Sequence, residues 1–381
     1  MSSDLNGIAN RIALNEPACS DAHSGGQFTP FGSTAVKTLA AVDTAGRRPA
    51  ALGLERKSQG GAMTARALPR VVYLGGLGRS GSTLLERMLG ELPGVCAVGE
   101  VAHMWQRSIV DGERCGCGEP FGICPFWREV GQKAFGGWAD LDVGRVAELR
   151  SAVDRSRYIP LLATPAIPQS LRRRLDEYVG YYLRVYSAIA DVSGCPTVVD
   201  SSKHASLAFC LRWHAELDLR VVHVVRDSRA VAFSWARRVS RPDAASDSYM
   251  TTYSPATAAG LWNAQNCALQ LLAMEGVPTL RVRYEDLVAA PEVTLTAIAD
   301  FAGIAAGEEK LGFLGGDATA RWADLTVAHT ASGNPMRFST GRIAIRPDER
   351  WRVAMPTSHR RTVTALTLPL LAGYGYTRRS V

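Results

Sequence analysis

Long apolar runs are missing from this 381-residue chain. No stretch approaches the roughly 20 consecutive apolar residues that span a bilayer, which argues against a transmembrane segment. Residues Met1 to Leu14 carry Asp4 and Arg11 and no continuous apolar stretch of the secretory kind. The expected location is therefore cytoplasmic. Lysine is scarce: Lys37, Lys57, Lys133, Lys203 and Lys310 are the only ones among 43 basic residues, so arginine carries the net charge of +7. Arginine holds phosphate and sulfate through a planar fork, so this charge suits an anionic ligand as well as it suits a generally basic surface. No Lys/Arg run has the length expected of a nucleic-acid tail, and nucleic acid is set aside as a partner. Eight cysteines in a chain of this length do not make a disulfide framework. One group stands out, Cys115-Gly116-Cys117 followed by Cys124. Three such thiols could hold zinc with a fourth ligand from Cys96 or His103, but C-x-C is not a standard zinc knuckle, and the expectation is a loop of free thiols without metal.

The composition, 46% hydrophobic and 21% charged, is that of an ordinary globular protein. Residues 1–66 are rich in Ser, Gly, Ala, Thr and Pro without a period of 2 or 3.6, and are expected to form a flexible tail. A translation start at Met63 is compatible with this reading. No internal repeat is found. From residue 67 to 381 the pattern changes to one α/β domain. Val71–Leu74 reads as a buried strand, and Ser82 to Glu91 as a helix with Leu84, Leu85, Met88 and Leu89 on its apolar side. Thr197–Asp200, Leu219–Val225 and Thr279–Arg283 read as further strands. Ala230 to Arg238 reads as a helix, and Pro291 opens another. Strands alternating with helices predict a parallel sheet covered on both faces. The insert from Ser151 to Ser193 reads as helical, and its tyrosines, Tyr178, Tyr181, Tyr182 and Tyr186, either pack or roof a pocket.

Chemistry is concentrated in two segments. Gly76-Leu77-Gly78-Arg79-Ser80-Gly81-Ser82-Thr83 follows a strand and opens a helix, the context in which backbone N–H groups and the helix dipole cradle a phosphate. The spacing is close to G-x-x-x-x-G-K-[ST], but Ser82 stands where the lysine would be, and the basic residue is Arg79. A nucleoside triphosphatase places lysine on the β/γ-phosphates. Its absence points to a ligand with one 5′-side anionic group and a transferable group. The second segment runs from Val224 to Trp235. Arg226 leaves the end of a strand, where ligands of open α/β sheets gather, and Ser234 lies about two helical turns on. Together the two segments suggest two phosphate sites on one nucleotide.

Gly-Arg-Ser-Gly-Ser-Thr-Leu-Leu, then Arg-Asp-x-Arg-Ala-x-x-x-Ser, then Arg-Tyr-Glu-Asp-Leu, resembles the sulfotransferases that use 3′-phosphoadenosine 5′-phosphosulfate (PAPS). The likeness runs from about Pro69 to Tyr376 and is closest to the bacterial branch and the tyrosylprotein type. It implies a P-loop-type α/β fold with a helical insert. It implies that Arg79, Ser80, Gly81, Ser82, Thr83 and Leu84 hold the 5′-phosphosulfate, with Arg79 on the leaving side. It implies that Arg226 and Ser234 hold the 3′-phosphate and that Tyr284 helps bind the cofactor. Asn334-Pro335-Met336-Arg337-Phe338 resembles the late cofactor-contacting segment, which makes Arg337 a second candidate ligand of the 3′-phosphate and departs from the Arg-Lys-Gly of cytosolic members. Arg238 is a further candidate.

In such a transfer negative charge grows on the bridging and equatorial oxygens, so fixed cations and N–H donors dominate, and a base takes the acceptor proton. Glu100, in Val98-Gly99-Glu100, resembles the Gly-Glu of the tyrosylprotein type and is the favoured base. His204 is the alternative, and Lys203 is the candidate for stabilising the transferred group. Asp200 and Asp227 imitate a Walker-B aspartate. No metal is required on this reading. The acceptor, a hydroxyl or amine of a small molecule, glycan, lipid or peptide, is not encoded in loop composition. The rival readings are a P-loop kinase or NTPase and a nucleotide-binding protein without turnover.

Overall fold

The computed structural model describes residues 68–240, 249–305, 308–317 and 319–377. The expected tail, residues 1–66, and the start at Met63 lie outside the described residues. The first apolar run becomes strand β1, Arg70–Gly75. Val71, Val72, Tyr73 and Leu74 are all fully buried, as a strand covered on both faces requires. Helix α1, Ser82–Leu89, follows the glycine loop, and every one of its residues is buried. The remaining strands of the main sheet are β2, Val95–Ala97, β3, Thr197–Lys203, β4, Leu219–Val225, and β5, Thr279–Arg283. Their order is β2-β3-β1-β4-β5, and all the pairings are parallel. This is the expected α/β sheet.

The order matters for function. β1 is flanked by β3 on one side and β4 on the other, in registers that pair Arg70 with Thr197 and Val71 with Leu219. The chain therefore leaves β1 at a point where successive connections go to opposite sides of the sheet, and crevices at such points receive ligands. Three segments end side by side there: the glycine loop after β1, Lys203 at the end of β3 and Arg226 just past β4.

Side chains of β1 alternate between two layers. Val71 and Tyr73 join the cluster formed by the long helix α2, Gln169–Ser193, through Leu175, Tyr182 and Ile189. Val72 and Leu74 join the cluster formed with α1 and with α3, Pro291–Ala302, through Leu85, Met88, Leu295 and Ile298. The tyrosine stripe is packing. Tyr178, Tyr182 and Tyr186 are fully buried, and their hydroxyls are satisfied internally: Tyr178 donates to Asp154 (2.8 Å) and Tyr186 to Asp200 (2.6 Å), and Tyr182 accepts from the Trp105 indole (3.0 Å). Burial of aromatic rings with paired hydroxyls is the economical use of such residues in a core.

A second sheet was not foreseen. Strands β6, Leu314–Gly315, β7, Arg321–Leu325, and β8, Gly341–Ile345, pair antiparallel. A buried arginine ties this region to the main sheet. Arg87 in α1 donates to the carbonyls of Arg337 (2.7 Å), Ser339 (2.9 Å) and Thr326 (2.5 Å). Among the described residues no helix is long and apolar enough to cross a membrane.

Candidate active site

The glycine loop is built for close backbone approach. Gly81 caps α1 in the left-handed region (φ 89°), and a Cβ there would overlap the ring of Tyr284. Only glycine meets both demands. The first-turn N–H groups of a helix have no intrahelical acceptors, so those following Gly81 are available to an anion. Ser80, Ser82, Thr83 and Leu84 are buried around them. Arg79 is half-buried. Its guanidinium lies 5.2 Å from the ring centre of Trp235 and 3.1 Å from the sulfur of Met250. Trp235 also braces the loop, its indole N–H donating to the carbonyl of Gly78 (2.9 Å). Sequence reasoning left Trp235 without a role, although it directly follows Ser234.

Arg226 is 6% exposed and sits against the loop. It donates to the carbonyl of Arg79 (3.0 Å) and to that of Asp348 (3.0 Å), and its guanidinium stacks 4.4 Å from the centre of the Tyr284 ring. Helix α4, Ser228–Trp235, starts immediately after it. Asp227 caps that helix through the Arg229 N–H (2.9 Å) and pairs with the Arg229 guanidinium (2.6 Å), so it serves the helix and not a metal. Ser234 is half-buried in the last turn, and Arg238 is exposed beyond it, stacked on Tyr249. A cavity of about 630 Å³ has Arg226 and Tyr284 in its wall, with Arg229, Arg346, Asp348 and Trp351. Neither loop residues 79–84 nor Glu100 and Lys203 line it. The segment after β8 was not anticipated as part of this group, because nothing in its composition indicates that it returns to β4.

On the other side of β1 both candidate bases converge. Glu100 pairs directly with the Lys203 ammonium, and Lys203 also donates to the carbonyl of Ser201 (3.1 Å). The two side chains are each 13% exposed. His103 lies 3.7 Å from the other Glu100 oxygen, and its Nε2 is 3.2 Å from Nε2 of His204. Burial pushes the Glu100 carboxyl up, but Lys203 and then His103 outweigh it and hold the group down at about 2. Burial keeps both imidazoles neutral: it lowers His103 to about 3 and lowers His204 as well. The sequence offers His103 only as a possible metal ligand. The Glu-x-x-His spacing, which places the two side chains on one face of a turn, is the signal that could have found it.

A second acid holds this arrangement from behind. Glu86 of α1 is buried, accepts the Gly99 N–H (2.6 Å) and the Ser201 hydroxyl (2.7 Å), and is raised by burial to about 7. Asp200 accepts the backbone N–H (2.8 Å) and hydroxyl (2.5 Å) of Ser202 and the hydroxyl of Tyr186, and burial raises it to about 6. It is an internal brace and not a metal-facing aspartate. Among the described residues, non-glycine residues with left-handed backbone are Arg79, Lys203 and Ser332. Two of these carry the candidate cations. Ser332 directly precedes Gly333, which lies against Glu100. Backbone strain of this kind collects at functional sites.

Arg337 is placed differently from the expectation. It is 1% exposed, and its terminal nitrogens donate to the carbonyls of Thr330 (2.7 Å) and Arg114 (2.6 Å). It packs beside Gly333 in the Glu100 group and does not line the cavity at Arg226. Through those two bonds Arg337 links residues 114 and 330 beside the Glu100 group. The three cysteines are brought together as their spacing suggested, but the fourth donor is His329, not Cys96 or His103. Cys96 lies in β2, paired with Val198, and His103 faces His204.

Residues 181–308 match the family model described as "Sulfotransferase family". That stretch contains Lys203, Arg226, Ser234 and Tyr284 and leaves the glycine loop and Glu100 outside it. The resemblance to sulfotransferases read from the motifs thus recurs in a segment beyond the loop. No curated protein matches the chain. Among solved structures the chain is similar to the sulfotransferase domain from the Synechococcus PCC 7002 olefin synthase, with 21% identity, 82% of this chain and 98% of that one covered, and a TM-score of 0.41. It is also similar to the sulfotransferase domain from the curacin biosynthetic pathway (17% identity, 79% and 98% covered, TM-score 0.39). A third is sulfotransferase STF1 from Mycobacterium tuberculosis H37Rv (18% identity, 64% and 70% covered, TM-score 0.36).

Proposed function

We propose that this chain moves a sulfuryl group from PAPS to a hydroxyl or amine of an acceptor. The observation that carries the reading is the convergence of Arg79, Lys203 with Glu100, and Arg226 at the carboxyl ends of three adjacent strands. The residues fit such a donor. Gly81 lets the Tyr284 ring close against the loop where a Cβ would collide with it, and the Nε groups of Arg79 and Arg226 are buried without a partner. Bound there, the donor supplies an already activated sulfuryl group, so the transfer needs no metal.

The protein's part is positioning and charge. The loop N–H groups from Ser80 to Leu84 and the Arg79 guanidinium hold the 5′ side and stabilise the leaving oxygen. Arg226, oriented by the Arg79 and Asp348 carbonyls and by the Tyr284 ring, holds the 3′-phosphate with Ser234. Arg337 acts indirectly, by linking residues 114 and 330 beside the Glu100 group. Lys203 is held by Glu100 when no anion is near. Its ammonium transfers to the negative oxygens at the reacting centre. Glu100 is then a carboxylate in a buried place without its cation, and burial raises its basicity. It takes the acceptor proton at that moment. His103 and His204, both neutral, complete the wall on the acceptor side.

Calorimetric binding of adenosine 3′,5′-bisphosphate and of ATP, each with and without magnesium, tests this reading. Selective binding of the bisphosphate, independent of magnesium, is the expected result. Preference for ATP with magnesium would move the chain to the kinase or NTPase class. Tight bisphosphate binding without transfer to any acceptor in a PAPS screen would leave a nucleotide-binding protein without turnover.

A further inference from the structure

Cys115, Cys117 and Cys124 share one loop and His329 comes from a distant segment, yet their donor atoms all lie within 4.8 Å of one another. The Sγ atoms of Cys117 and Cys124 are 3.8 Å apart. Nδ1 of His329 is 3.3 Å from Sγ of Cys124 and 3.7 Å from Sγ of Cys115. None of the three cysteines is in a disulfide. A tetrahedral zinc ion, with Zn–S of about 2.3 Å and Zn–N of about 2.0–2.1 Å, sets neighbouring sulfurs about 3.8 Å apart and sulfur and nitrogen about 3.5 Å apart. These three spacings match those edges, and the remaining donor pairs lie within 4.8 Å. The donors are soft thiolates and an imidazole, the set that selects zinc over magnesium or calcium.

The surroundings are built for the cluster. Gly116, between the first two cysteines, donates its N–H to the carbonyl of Thr330 (2.9 Å). A Cβ there would come within 2.5 Å of the Ala328 carbonyl oxygen, so the C-x-C turn lies flush against the segment that carries His329. The Gly118 N–H closes the turn on the Cys115 carbonyl (2.8 Å). Cys124 directly precedes the helix Pro125–Phe135. Phe126 stacks on His329 with centroids 5.0 Å apart and planes 13° from parallel, which fixes the imidazole plane. Cys115 and Cys124 are buried, and Cys117 and His329 are half-buried.

We infer that these four residues bind one structural zinc ion. All four positions of the tetrahedron are filled by protein, so the ion has no open position for substrate. Its effect is to fasten loop 115–124 to residues 328–331. Two residues past His329, Ala331 pairs with the segment after β2 that carries the candidate base: its N–H donates to Val98 (2.8 Å) and its carbonyl accepts from Glu100 (2.8 Å). The ion therefore clamps the floor beneath Glu100 without touching the reacting groups. The site itself stands on its four donors and does not depend on Glu100 being a base.

The test is elemental analysis of the untagged full chain, expressed in zinc-supplied medium and purified under reducing conditions without chelator. One zinc per chain is expected. Cobalt exchanged into the site should give visible bands of a tetrahedral thiolate centre, and chelation of the metal should lower the melting temperature. Cys124→Ser and His329→Ala should lose the metal, whereas Cys267→Ser, at an exposed cysteine, should keep it. If Cys124→Ser does not fold, Cys117→Ser, at a half-buried position, carries the same expectation. A folded, reduced chain that takes up neither zinc nor cobalt, a chain that purifies with iron, or cluster variants that retain full zinc would each overturn the proposal. None of these readouts requires turnover, so they stand apart from the transfer reaction.

Discussion

Removing Lys203 while keeping Glu100 should turn a buried ion pair into a buried lone charge. Two unit charges about 4 Å apart interact by about 4 kcal/mol at an effective dielectric constant of about 20, and here the groups are in direct contact with 13% of each side chain exposed. Breaking such a pair from one side costs about 3–5 kcal/mol, because the remaining charge is stranded. Lys203→Met and Glu100→Gln should therefore each destabilise the fold strongly in urea titrations near neutral pH. The double variant should fall well short of the sum, with a coupling of about 3 kcal/mol. The pH dependence has a definite sign. In the wild type the Glu100 carboxyl, at about 2, lies below its ordinary 4.5. Its contribution is thus present above pH 4.5 and lost as pH falls toward 2. In Lys203→Met burial prevails and the carboxyl moves above 4.5, so that variant gains relative stability on acidification and its deficit shrinks. Glu100→Gln should also lower turnover by about 10²–10⁴-fold with nucleotide affinity nearly intact. Additive single variants, within about 0.5 kcal/mol, would falsify the pairing argument.

Two further expectations concern the nucleotide side. Arg226→Ala removes charge-assisted hydrogen bonds, each typically about 1.5–3 kcal/mol, so affinity for adenosine 3′,5′-bisphosphate should fall about 10- to 100-fold while that for the 5′-monophosphate changes little; equal losses by calorimetry would refute the 3′-phosphate assignment. Gly81→Ala should abolish nucleotide binding, because its Cβ meets the Tyr284 ring in addition to the backbone penalty of about 1–2 kcal/mol for left-handed φ. Gly118→Ala, with nearly the same φ (92° against 89°) and open space around it, pays the backbone penalty alone and should keep binding; similar binding in both variants would remove the steric argument.

The main sheet was largely legible because its strands announce themselves. Leu219–Val225 and Thr279–Arg283 have the boundaries expected from their apolar runs. Strand Val95–Ala97 escaped because three residues carry no period. The helix after β4 begins at Ser228, earlier than expected, because Asp227 caps it. Among the candidate residues, Lys203 and Arg226 stand at strand ends and Arg79 and Glu100 in the loops after β1 and β2, which is why motifs could single them out. Glu86 could not be found so, because an acid on an otherwise apolar helix reads as the solvent-facing position, and only the fold shows it buried. His329 and the segment Arg346–Trp351 come from the far end of the chain and join residues more than a hundred positions away. No local pattern encodes that return. Arg337 shows the limit of a motif. Its place in the sequence resembles a cofactor-contacting segment, whereas its side chain lies beside Gly333 in the Glu100 group and outside the cavity at Arg226.

The position of β1 between β3 and β4 has a consequence for synthesis. β1 is translated first, but its partners, beginning at Thr197 and Leu219, emerge much later. At about 5–20 residues per second, a ribosome leaves the glycine loop unwalled for on the order of ten seconds. The Asp348 carbonyl that orients Arg226 arrives later still. A nascent chain therefore exposes an apolar strand with both edges unpaired long before the group around Arg226 can assemble. Closure of the sheet around β1 is a late event in the life of the molecule, and a chain truncated before Leu219 should be handled by the cell as an unfinished sheet.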